Sequence, residues 1–200
     1  MGLGRQAKVL TKGQVDAVFS YLGNGRHGLR DQVIFLLSVR AGLRAKEIAA
    51  LRWSMVVTPE GQISDHINLT DAASKGRSGR SIPICRQLKI HLASLLSKRC
   101  INDLSFNLMT SYLVTTERGD HTTSQVIVNK FHVWYSSMGL LGCSSHSGRR
   151  TFITNAARKI NLVGGSLRDV QSLAGHSSLQ VTQRYIEISE DARRKIVEII

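Results

Sequence analysis

Acidic residues are scarce in this chain. Its 200 residues hold 14 Asp and Glu against 27 Lys and Arg, a formal net charge of +13. Between Asp71 and Asp103 there is no acid at all, and that gap carries Lys75, Arg77, Arg80, Arg86, Lys89, Lys98 and Arg99. A solvated basic surface is the ordinary fate of such a run. Seven bases without one acid point instead to a polyanion, with nucleic acid ahead of an anionic membrane surface. The imbalance sits mainly in the first hundred residues, with 16 bases against 6 acids; the second hundred hold 11 against 8.

Other absences narrow the class further. Cysteine is sparse: Cys85, Cys100 and Cys143 are odd in number and widely spaced, which argues against a disulfide framework and fits a reducing compartment. The longest apolar stretch, VIFLLSV at 33–39, is broken by a serine and falls far short of a bilayer span. The start, MGLGRQAKVL, lacks the apolar core of a signal peptide, and Gln6 stands where a myristoylation signal has Ser or Thr. A soluble cytoplasmic protein with no membrane partner is expected. There is no Gly-rich Walker loop and no Asp/Glu cluster suited to Mg²⁺, and CSSH at 143–146 is a single Cys-x-x-His pair, a weak zinc signal. Neither metal nor cofactor is expected.

What is present is enough apolar residue, 42%, to build a core. No repeat, low-complexity stretch or clear linker divides the chain, so residues 1–200 read as one domain. TKGQVDAVFSYL opens with a capping-box pair, Thr11 and Gln14, and runs helical to about Leu22. Residues 29–41 read as a buried helix broken at Gly42, and LRAKEIAALRW (43–53) as the next helix. VVTPEG, ISDHINLT and RSIPI read as three short strands, with SKGRSGR a basic turn before the third. Helices follow at 86–99, 122–138, 147–160, 166–174 and 179–188, and the 186–200 tail carries an apolar stripe at Ala192, Ile196 and Ile199. The expected fold is mainly α with a small antiparallel β-sheet, an α+β domain.

Two arginines stand out on this framework. Arg44 shares a helical face with Glu47, Ile48 and Leu51, and Arg149 shares one with Phe152, Ile153, Ala156 and Ile160. A buried guanidinium needs an anionic partner. Glu47 is a structural partner for Arg44; Arg149 has no acid nearby in sequence. The other reading is a shared anion, a phosphate gripped by both forks at two helix N-termini. Tyr185, Lys75, His146 and His176 taken singly each have an ordinary structural reading, Tyr185 as a core aromatic.

Taken together they do not. AGLRAKEIAAL (41–51), SKGRSGRSIPI (74–84), HSGRRTF (146–152) and LAGHSSLQVTQRY (173–185) resemble the tyrosine site-specific recombinases, or phage-type integrases. The resemblance covers nearly the whole chain, from about Leu10 to the tail, and implies the catalytic-domain fold of that family. It implies a catalytic set of Arg44, Lys75, His146, Arg149, His176 and Tyr185. Tyr185 would attack a DNA phosphodiester and hold the strand as a 3′-phosphotyrosine without ATP or metal. Arg44 and Arg149 would stabilise the pentacoordinate phosphate, Lys75 would protonate the leaving 5′-oxygen, and His146 would act as acid and base. His176 would donate a hydrogen bond to the phosphate, and Glu47 would support the site. Lys46, Arg77, Arg80 and Arg150 would contact double-stranded DNA, to which the protein would bind as a homotetramer on paired sites, nucleoid-associated when bound.

Two features depart from the family pattern. HSGRR replaces the usual His-x-Leu-Arg-His, so Gly148 is expected to loosen the first turn of its helix and Arg150 replaces a histidine. The N-terminal core-binding domain common in the family is expected to be absent. Two alternatives stand beside this reading: DNA relaxation by similar chemistry, as in type IB topoisomerases, and sequence-specific DNA binding by a regulator that keeps the fold without catalysis, against which the intact set of Tyr185 and both histidines argues.

Overall fold

A computed structural model describes residues 6–74, 78–103, 105–117, 119–186, 194, 197 and 198. Eight helices lie among them: α1 (Lys12–Gly23), α2 (Gly28–Ala41), α3 (Ala45–Ala50), α4 (Arg86–Asn102), α5 (Ser124–Ser137), α6 (Ser147–Lys159), α7 (Leu167–Ala174) and α8 (Leu179–Gln183). Two strands, β1 (His66–Leu69) and β2 (Arg80–Pro83), pair antiparallel with Ile67 opposite Ile82. The mainly α architecture with one small antiparallel sheet is the one expected.

The α2 helix organises the core. Val33, Ile34, Phe35, Leu36 and Leu37 are all buried, so the helix is apolar on every side. It can be so because α1, α4 and α6 each pack against it. Its end is set by Gly42, whose φ of 66° is left-handed and open to glycine at little cost. A side chain there would run into the ring of Phe152 on α6. A second, smaller cluster of Ile153, Val170 and Ala174 joins α6 to α7, with Phe152, Ile160 and Tyr185 packed around it.

Three local expectations are corrected. The helix over 43–53 is only α3: Arg44 is extended (φ −77°, ψ 156°), and its N–H donates to Glu47 Oε2 at 2.8 Å, which caps the helix at Ala45. Of three expected strands, VVTPEG forms only a single bridge, Val57 with Ile63. There the chain closes on itself: Thr58 N–H donates to Gln62 O and Gly61 N–H to Thr58 O. The last helix stops at Gln183, not 188, so Tyr185 lies in the turn that follows. The N–H groups of Tyr185 and Ile186 donate three residues back, to Thr182 O and Gln183 O, and Thr154 Oγ1 donates to Tyr185 O at 3.3 Å. Most of the 186–200 tail is outside the described residues.

Gly148 does not loosen α6. It is buried, and a Cβ there would collide with the Oγ of Ser38 and sit 3.0 Å from Val39 Cγ1 on α2. The glycine lets the two helices approach closely. Ser38 Oγ itself is buried without a hydrogen-bond partner among the described residues. Gly148→Ala is therefore expected to destabilise the protein by about 1–3 kcal/mol through overpacking. Adding Ser38→Ala should recover part of the loss, because Oγ is the atom in the way. Denaturant unfolding of the single and double variants measures both.

Candidate active site

The site is assembled around one carboxylate. Glu47, on α3, has no exposed side-chain surface and lies between two arginines. Arg44 Nη1 donates to its Oε1 at 2.7 Å. Arg80, from β2, donates through Nη1 to Oε1 at 3.0 Å and through Nη2 to Oε2 at 3.1 Å, a two-pronged fork on the same group. Burial alone would raise the Glu47 carboxyl; the hydrogen bonds and charges of Arg80 and then Arg44 outweigh it and hold it below its ordinary value.

Arg149 sits 4% exposed in the first turns of α6 and makes no ion pair among the described residues. Its Nη1 donates to Gly42 O and its Nη2 to Ala174 O, both at 2.6 Å. These carbonyls belong to the ends of α2 and α7, where backbone dipoles present partial negative charge. Burial and then the Arg44 charge pull the Arg149 guanidinium down to about 10, which leaves it a cation at neutral pH.

His176 follows the left-handed cap of α7, Gly175 (φ 60°). Its N–H donates to Gln171 O and the Gln171 side chain donates back to His176 O. His176 Nδ1 lies 2.9 Å from Thr182 Oγ1, and its ring stacks on Tyr185 with centroids 5.4 Å apart. Burial, then the charges of Arg149, Arg44 and Arg80, lower the imidazole to about 4, so it is neutral at pH 7. Arg44, Arg80, Gly175, His176, Arg168 and Val181 share the wall of an open cleft of about 850 Å³.

Arg44, Glu47, Arg149, His176 and Tyr185 thus come together, and Arg150 joins them, its guanidinium 6.0 Å from the Tyr185 ring centroid and bonded to Gln6. His146 is exposed at the N-cap of α6, one turn ahead of Arg149, without a side-chain capping bond. Lys46 is exposed and donates to Ser74 O at 3.3 Å. Lys75 and Arg77 lie outside the described residues. The described residues on either side are bonded to one another: Asp71 Oδ1 accepts from Gly79 N–H at 2.7 Å and Ser74 Oγ from Ser78 N–H at 3.2 Å. Arg80 differs most from expectation, since its side chain is 6% exposed and committed to Glu47.

The model of the phage integrase family matches residues 8–191 of this chain. The chain belongs to that family. It is 28% identical over 190 residues to tyrosine recombinase XerC of Staphylococcus saprophyticus, covering 92% of this chain and 58% of that relative. It is 29% identical over 163 residues to tyrosine recombinase XerD of Lacticaseibacillus casei, covering 81% of this chain and 52% of the relative. Among solved structures, XerA recombinase matches 94% of this chain and 63% of its own with a TM-score of 0.73 at 22% identity. XerH recombinase, in a post-cleavage complex with a palindromic difH substrate, matches 99% and 54% with a TM-score of 0.74 at 16% identity. This integrase-family chain therefore spans somewhat over half the length of the curated relatives it matches.

Sequence reasoning missed the groups that hold the site. Thr182, Gln171 and the carbonyls of Gly42 and Ala174 carry no motif. Arg80 did carry a signal: in a strand, it shares a face with buried Ile82, two residues on.

Two outcomes follow. Glu47→Gln leaves two guanidiniums without their shared anion, and breaking a buried pair of this kind costs about 3–5 kcal/mol in unfolding free energy. His176 has a folded value, about 4, below its ordinary 6.5, so the unfolded chain binds the extra proton between those values. Stability should fall as pH drops from 6.5 to 4, and His176→Gln should remove that part of the decline. Histidine NMR titration of the folded protein should show one imidazole with a midpoint near 4.

Proposed function

We propose that this protein is the catalytic domain of a site-specific DNA recombinase that cuts and rejoins double-stranded DNA through a 3′-phosphotyrosine at Tyr185. The observation that carries the reading is the convergence of Arg44, Arg149 and His176 beside Tyr185, with three guanidiniums, including Arg80, set against the single carboxylate of Glu47. That cluster has two positive charges in excess, suited to an anion that gains charge as it becomes pentacoordinate.

In the proposed reaction the Tyr185 hydroxyl oxygen bonds to phosphorus and the bond from phosphorus to the 5′-oxygen breaks. Arg44 and Arg149 hold the non-bridging oxygens. His176 is neutral; if Thr182 donates to its Nδ1, Nε2 carries the proton and donates to the phosphate. By family likeness, His146 takes the tyrosine proton and Lys75 gives one to the leaving oxygen, and a 5′-hydroxyl from the partner strand reverses the step. The phosphotyrosine conserves the bond energy, so the chemistry runs without ATP or a metal ion. Lys46, Arg77 and Arg150 contact the DNA backbone. Four protomers act together on two sites, in the cytoplasm at the nucleoid.

Covalent trapping tests this. Supercoiled or nicked DNA is incubated with the protein and denatured, and a protein–DNA adduct is expected with the wild type and none with Tyr185→Phe. An adduct that survives in the variant refutes Tyr185 as nucleophile. Relaxation of plasmid without recombinant products identifies a topoisomerase, and sequence-specific binding without an adduct identifies a regulator.

A further inference from the structure

Arg80 has almost nothing left with which to hold a phosphate. A guanidinium has five N–H groups. Four of those of Arg80 are engaged: Nε with Leu173 O at 2.9 Å, Nη1 with Glu47 Oε1 at 3.0 Å and Ser78 O at 3.4 Å, and Nη2 with Glu47 Oε2 at 3.1 Å. Arg44, by contrast, makes one side-chain bond among the described residues and is 22% exposed against 6% for Arg80.

The partners of Arg80 are the groups that place the rest of the site. Glu47 fixes Arg44 through both its backbone N–H and its Nη1. Leu173 precedes Ala174, whose carbonyl holds Arg149, and Gly175, which turns the chain into His176. The guanidinium packs against that turn: a Cβ on Gly175 would lie 2.8 Å from Arg80 Nη1 and 3.1 Å from its Cζ. Its own backbone begins β2, five residues after Lys75.

We propose that Arg80 is a positioning residue for strand cleavage, which locks Arg44 through Glu47 and the Ala174–His176 turn through Leu173, and does not itself contact the DNA phosphate. The proposal rests on the recombinase reading above. A small misplacement of groups that must meet one phosphorus costs far more in rate than in binding.

The test compares wild type with Arg80→Lys, which keeps the charge but not the fork, and Arg80→Met. The DNA is a nicked duplex recovered from the wild-type covalent adduct. Single-turnover adduct formation at saturating DNA is expected to fall about 100-fold in both variants. DNA affinity should stay within about twofold, and the slope of log Kd against log salt should not change, whereas a lost phosphate contact lowers that slope by about 0.9. Combining Arg80→Lys with Glu47→Gln should cost little beyond the worse single variant. Thermal unfolding identifies variants that fold; if Arg80→Met does not, Arg80→Lys gives the result. A wild-type cleavage rate in Arg80→Lys overturns the proposal, and so does a weakened Kd with a reduced salt slope. Failure of the wild type to form any adduct refutes the recombinase reading instead, and this role with it.

Discussion

A single buried carboxylate governs the architecture of the site. Glu47 has no exposed surface, yet it is charged, because two guanidiniums surround it. Pairs like this are seldom a net gain in stability, since taking three ions out of water costs roughly what their attraction returns. What they supply is geometry. Glu47 is satisfied only where the start of α3 meets the start of β2, and Arg80 ties that place to the end of α7 through Leu173 O. Those three elements are far apart in sequence and carry Arg44, Arg80 and the approach to His176.

Arg149 is held by a different device. Two helix ends point carbonyls at it, so it is fixed in place without being neutralised. An acid in that position would have secured the arginine equally well and cancelled its attraction for a phosphate. The supporting mass lies behind it: α6 presses on α2 at Gly148, and α2 is buried on all sides. Arg149 therefore stands on a helix pressed closely against the core.

Much of this was legible beforehand for physical reasons. Amphipathic periodicity and capping residues placed most of the helices to within a few residues, and the Thr11–Gln14 capping box is present as read. The spacing of Arg44, Arg149, His176 and Tyr185 gave the family and the members of the cluster. Short elements failed. Helix α3 begins late because Glu47 takes the Arg44 N–H and caps it, and α8 stops at Gln183, where Tyr185 and Ile186 bond three residues back and Thr154 takes the Tyr185 carbonyl. The bond of Arg80 to Glu47 was not foreseen, because a basic residue beside a basic turn looks like a surface charge; only strand alternation marked it as inward. The roles of Gly42, Gly148 and Gly175 depend on what lies across from them, which periodicity does not report.

Tyr185 stands apart from the groups around it in one respect. It hangs from a five-residue helix, which would not persist in water on its own. Among the described residues its backbone is held by one three-back bond and the Thr154 hydroxyl. Arg149, by contrast, is buried and held at two helix ends, and cannot shift without disturbing the core. Local opening free energies follow such differences in burial and bonding. On the recombinase reading proposed above, such a molecule would separate a fixed cradle from a cheaply released nucleophile, so that the moment of attack would be set by whatever seats the tyrosine, independently of what holds the phosphate.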